Sequence, residues 1–68
     1  RGLWELKNNI VVIRKIKNIT QQDLAGRIGV KRQFVSKIER GEVLPSLKLA
    51  FRIAEELGVC ICTLFNHE

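Results

Sequence analysis

The 68-residue sequence predicts an all-α fold of five short helices packed around one core. Three observations point there. Apolar residues recur at three-to-four-residue spacing, Asn18, Gly29, Gly41 and Gly58 punctuate the chain at short intervals, and no alternating stretch bounded by hairpin turns competes. Leu, Ile and Val fill 22 positions, too many for a disordered tail and enough for one helical core. The length suits a single domain over residues 1–68 and leaves no room for a deep catalytic cleft, so an enzyme is not expected.

The first helix is expected from about Glu5 to Lys17, with Leu6, Ile10, Ile13 and the Lys17 stem on one face and Asn18 in a left-handed cap. Its β-branched run Ile10-Val11-Val12-Ile13 would also suit a strand. The second helix opens on Thr20 as N-cap. Asp23 at the third position complements the helix dipole and is placed to close a capping box. Leu24, Ala25 and Ile28 face inward, and Gly29 supplies the positive φ of a tight turn. A third helix, from about Lys31 to Arg40, buries Val35 and Ile38 and ends at Gly41. Pro45 pushes Leu44 out of the helical region and Ser46 caps a fourth helix running through Leu57, with Leu47, Ala50, Ile53, Ala54 and Leu57 as its inward stripe. After Gly58, Val59 to Phe65 is expected as a last short helix closing the core.

Net charge is +5, and its distribution says more than its size. Residues 14–40 hold eight Lys/Arg against Asp23 and Glu39, whereas residues 41–68 are net negative. A positive middle third is the footprint of a polyanion-binding element, although a basic solvated surface would look the same by charge alone. No apolar run approaches the roughly 18 residues of a membrane span and nothing at the start reads as a signal peptide, so no membrane association and a cytoplasmic, nucleoid-associated location are expected. Cys60 and Cys62 are too few and too close for a disulfide framework. With His67 alone as a nearby nitrogen donor they fall short of a metal site, and no cofactor is expected. Glu55 and Glu56, adjacent on a helix, diverge and do not make a catalytic pair.

Ala25, Gly29 and Val35 describe two helices meeting at a sharp angle: a small residue for close approach, a glycine for the turn, a β-branched residue to lock the second helix on the first. With Thr20-Gln21, Leu24-Ala25, Ile28-Gly29-Val30, Val35-Ser36, Ile38-Glu39, Gly41, Pro45-Ser46 and Leu57-Gly58-Val59, the chain resembles the Cro/C1-type, phage-repressor-like helix-turn-helix domains nearly continuously from Ile19 to Val59. The resemblance implies a lambda-repressor-like five-helix domain that binds double-stranded DNA at an operator. Its second helix would brace on the DNA backbone and its third lie in the major groove.

With Val35 and Ile38 inward, a 3.6-residue turn directs Gln33, Ser36, Lys37 and Arg40 outward, with Arg32 on the flank of the first turn. Arg can donate twice to guanine, Gln can pair with adenine, and Lys37 can reach guanine or phosphate. Arg32, Gln33 and Lys37 are therefore the expected base readers, with Ser36 beside them. Phe34 stands where the family is usually small, and its ring either packs on thymine methyls or leans back on the domain. Phosphates are expected at the helix openings Thr20-Gln21 and Ser46-Leu47-Lys48, with Lys31 and Arg40 adding charge. Arg14 and Glu39 match a pair that in related repressors joins the first helix to the end of the third. Helical geometry puts Glu39 near the inward face, where a carboxylate needs a partner.

Two further features depart from the family. Trp4, Val11, Val12 and Ile16 give the first helix a second apolar face, which residues 1–3, a second subunit, another domain or a protein partner would cover. Residues 1–4 read as an extension or junction, since Arg1-Gly2 suggests that upstream sequence is absent. Cys60, Ile61 and Cys62 replace a polar first turn, and related repressors dimerise near this region, so a homodimer on a two-fold operator is expected. The competing reading is an adaptor or antitoxin-like module using the same fold to bind protein.

Overall fold

The computed structural model describes residues 7–66. Five helices, α1 (Ile10–Ile16), α2 (Gln21–Ile28), α3 (Arg32–Glu39), α4 (Leu47–Leu57) and α5 (Ile61–Leu64), enclose one core. A minimal antiparallel ribbon, β1 (Lys7–Asn8) with β2 (Phe65–Asn66), ties the two ends of this region together. The core is aliphatic: Ile10, Leu24, Val35, Ile38, Ile53, Leu57 and Leu64 are almost wholly buried. These are the inward positions that the apolar spacing selects on five different helices, joined by Ile19, which the sequence reading left unassigned.

The ribbon corrects both terminal helices. α1 begins at Ile10 rather than near Glu5, because Asn8 and Asn9 spend their amides elsewhere. Asn8 Oδ1 accepts from the Ile10 N–H, Asn8 Nδ2 donates to the Ile38 carbonyl at the end of α3, and Asn9 Nδ2 donates to the Thr63 carbonyl. Side chains that bond to nearby backbone compete with helix in this way. The Asn9 N–H donates to the Leu64 carbonyl, so α5 stops there and Phe65 continues as strand instead of helix. Leu6 and Trp4 lie outside the described residues. The turn residue Asn18 is left-handed at φ 59, as its position after α1 predicts.

Leu47 is a further correction. The spacing puts it on the inward stripe of α4, yet it is 70% exposed while Ala50, Ile53, Ala54 and Leu57 are buried. It occupies the first helical position, where the stripe has run past the edge of the core, and it lines an open apolar groove with Leu44, Pro45, Ile61, Cys62 and Phe65.

Gly26 sits inside α2 with nothing within 4 Å of the place a Cβ would take. No packing or backbone conformation requires glycine there. Gly26→Ala is therefore expected to raise folding stability by about 0.5–1 kcal/mol, read as a higher urea midpoint with an unchanged m-value. A loss of stability would mean that the position serves a contact absent from this structure.

Candidate nucleic-acid interface

The α2–turn–α3 unit is built by local rules. Thr20 Oγ1 accepts from the Asp23 N–H at 3.0 Å and Asp23 Oδ2 accepts from the Thr20 N–H at 3.2 Å, a reciprocal capping box that fixes where α2 starts. Gly29, at φ 78, closes it, and the Gly29 and Val30 amides both donate to the Ala25 carbonyl. Three residues then turn the chain into α3. Val35 and Ile38 fasten the aliphatic side of α3 to Leu24, Ala25 and Ile28.

That anchoring fixes what α3 presents. Arg32, Gln33 and Lys37 are exposed, Ser36 is half-buried, and Lys31 is exposed at the opening. The side chains of Gln33 and Lys37 make no hydrogen bond among the described residues. Phe34 takes the inward of its two expected orientations: it is half-buried and packs against the core. Ser46 Oγ accepts from the Leu49 N–H at 3.1 Å, which leaves the Leu47 and Lys48 amides, in the first turn of α4, pointing out of the helix without an intrahelical acceptor. Thr20 and Lys48 are exposed, and Gln21 is half-buried.

Beneath this face lies a polar relay. Arg14, on α1, is buried and donates from Nε to Glu39 Oε2 at 2.9 Å and from Nη1 to the Ile19 carbonyl at 3.0 Å. The Glu39 side chain is only 4% exposed, and its Oε1 also accepts from Gln21 Nε2 at 2.7 Å. Gln21 Oε1 in turn accepts from Arg32 Nη1 at 3.2 Å. The carboxylate thus dictates the amide's orientation: Nε2 must face Glu39, so the oxygen must face Arg32. The ion pair was legible as a match of two positions. The involvement of Gln21 was not, because its sequence position gives no sign of which way the amide points.

Arg40 differs from its expected role as an open cation. Nε and Nη2 donate to the Glu42 carboxylate at 2.7 and 3.2 Å, and Nη1 donates to Ser36 Oγ. The hydrogen bonds from Arg40 hold the Glu42 carboxyl below its ordinary range, with Lys37 adding to the effect, and the same bonds raise the Arg40 guanidinium.

Cys60 and Cys62 are exposed free thiols, and among the described residues no three His, Cys, Asp or Glu side chains gather as a metal site would require. No helix among the described residues is long and apolar enough to cross a membrane.

The helix-turn-helix family model matches residues 12–61, most of the described chain and the whole of α2–turn–α3. The chain belongs to the helix-turn-helix family. Among its relatives is a helix-turn-helix-type transcriptional regulator of Methanocaldococcus jannaschii, 48% identical over 63 residues, covering 93% of this chain and 96% of that protein. Another, from Archaeoglobus fulgidus, is 38% identical over 60 residues, 88% of this chain and 84% of its own length. Among solved structures, a protein from Bacteroides fragilis described as DNA-binding superposes with a TM-score of 0.83 at 30% identity, covering 90% of this chain and 98% of that one. The restriction-modification controller protein C.AhdI from Aeromonas hydrophila gives 0.76 at 27% identity over 81% and 83%. The helix-turn-helix assignment thus spans nearly the full length of several relatives, not a shared fragment.

Proposed function

We propose that this helix-turn-helix protein is a transcriptional regulator that binds double-stranded DNA in a sequence-specific way, acting by occupancy of an operator and not by catalysis. One observation carries the reading: α3 is clamped by Val35 and Ile38 while Arg32, Gln33 and Lys37 stand in solvent on its other side. Those three are the base readers, with Ser36 at the margin. Phe34, held inward, contributes shape more than a base contact. Thr20, Gln21 and Lys31 on one side, and Ser46, Lys48 and the Leu47 amide on the other, seat the phosphates at helix openings where dipole and unpaired N–H groups favour an anion. The transcriptional regulators among its relatives support the same conclusion.

The active form is a homodimer whose contact lies at the groove lined by Leu44, Leu47, Ile61, Cys62 and Phe65. Exposed Leu44 and Leu47 support that placement. The location is cytoplasmic, at the nucleoid, and residues 1–68 act as one DNA-binding domain. An adaptor or antitoxin-like role is favoured by a different observation, the outward Val12 and Ile16 of α1, 57% and 74% exposed, which would receive a protein partner together with Val11.

Selection of bound duplexes from a random pool decides between the two. A DNA regulator enriches a two-fold motif with half-sites about one helical turn, roughly 34–36 Å, apart, and its affinity falls steeply as salt rises. A pool that stays random, with weak binding to every sequence, would leave the adaptor reading standing. Enrichment of an asymmetric single half-site would remove the dimer alone.

A further inference from the structure

Arg40, which caps the C-terminal end of α3, is paired by the fold with a side chain of opposite charge, and the way it does so is specific. Gly41, at φ 76, turns the chain out of α3, the Gly41 N–H donates to the Ile38 carbonyl at 3.0 Å, and the Glu42 N–H donates back to the Lys37 carbonyl at 2.9 Å. This paired closure is the Schellman arrangement, and it fixes the Glu42 backbone directly under Arg40. The carboxylate then meets the guanidinium with both oxygens, the two-pronged geometry by which a guanidinium also grips a phosphate. Both side chains are about half exposed, so the pair is open to exchange.

We propose that Glu42 sets the overall DNA affinity by standing in for a backbone phosphate on Arg40. This rests on the DNA-binding reading above. For Arg40 to grip a phosphate it must give up an equivalent carboxylate, and the released Glu42 is then left facing a polyanion. One cation at the C-terminal end of α3 is thereby withheld from the DNA backbone. Sequence choice stays with Arg32, Gln33 and Lys37, so Glu42 lowers binding to all duplexes alike and keeps the complex readily reversible.

The test measures binding of a random-sequence duplex, and of whichever duplex the selection enriches, across a salt series. Glu42→Gln keeps the side-chain shape and the backbone closure, so its melting curve should match the parent. Its affinity should rise several-fold for both duplexes, and the slope of log K against log salt should steepen by about 0.9, one additional phosphate neutralised. Glu55→Gln, which changes net charge equally on α4, should do neither. In an Arg40→Gln background the Glu42→Gln gain should largely disappear. An unchanged slope, a fall in affinity, or a gain that persists without Arg40 would overturn the proposal. Should the parent protein bind neither duplex at any salt, the DNA-binding reading itself fails, and the proposal with it.

Discussion

Replacing Arg14 by Met is expected to remove about 3–5 kcal/mol of folding stability, because it strands the Glu39 carboxylate in the protein interior. Among the described residues Gln21 Nε2 would remain as its only side-chain donor, and the Ile19 carbonyl would lose the Arg14 Nη1–H that now reaches it. At roughly 4–8 °C per kcal/mol for a domain of this size, the melting temperature should fall by about 12–40 °C. Marginal stability makes that loss severe, since a chain this short has on the order of 3–10 kcal/mol in all. The diagnostic comparison is the double variant Arg14→Met/Glu39→Met. Removing both charges takes away the uncompensated carboxylate, so the double variant should be markedly more stable than the sum of the two single changes. Strictly additive losses in urea denaturation would show that the pair is not coupled.

Arg32→Ala is expected to relax sequence preference at one position of each half-site, by about 1–3 kcal/mol of discrimination, while leaving the fold intact. The side chain is exposed and, among the described residues, hydrogen-bonds to Gln21 alone. Competition between the enriched duplex and single-base variants measures this directly. If Arg32 instead contacted phosphate only, affinity would drop for every sequence by the same factor. Gln21→Ala provides a second view of the same site. It removes the acceptor that orients the guanidinium, so it should weaken discrimination in the same direction as Arg32→Ala but less, as expected of a positioning residue rather than a base contact.

These two expectations differ in where they were visible. The sequence shows that Arg14 and Glu39 occupy matched positions and that Glu39 lies near the buried side of α3, since both follow from helical spacing and family resemblance. It shows which way Arg32, Gln33 and Lys37 point, because Val35 and Ile38 leave them no other direction. The capping box at Thr20 and Asp23 and the left-handed Asn18, Gly29, Gly41 and Gly58 were equally legible, each being a local consequence of side-chain chemistry or of a missing Cβ.

What sequence reading missed shares one physical character: it depends on groups distant along the chain or on unconstrained side-chain torsions. The β1–β2 ribbon pairs residues nearly sixty positions apart, and two-residue strands carry no periodicity to detect. Leu47 falls on the correct helical stripe but beyond the end of the core, which only the packed neighbours define. The Gln21 amide and the Arg40 guanidinium each have several possible partners, and their choice awaits the positions of Glu39 and Glu42.

For this protein, then, spacing and local backbone chemistry determined the five helices, the turn between α2 and α3 and the outward face of α3, because each is settled within a few residues of itself. The tertiary structure alone decided that Arg40 is held by Glu42 and that the Gln21 amide joins the Arg14–Glu39 pair to Arg32. Ion pairs fall off steeply with distance, so only the folded arrangement distinguishes the exposed Lys37, without an ion-pair partner among the described residues, from Arg40, held by Glu42.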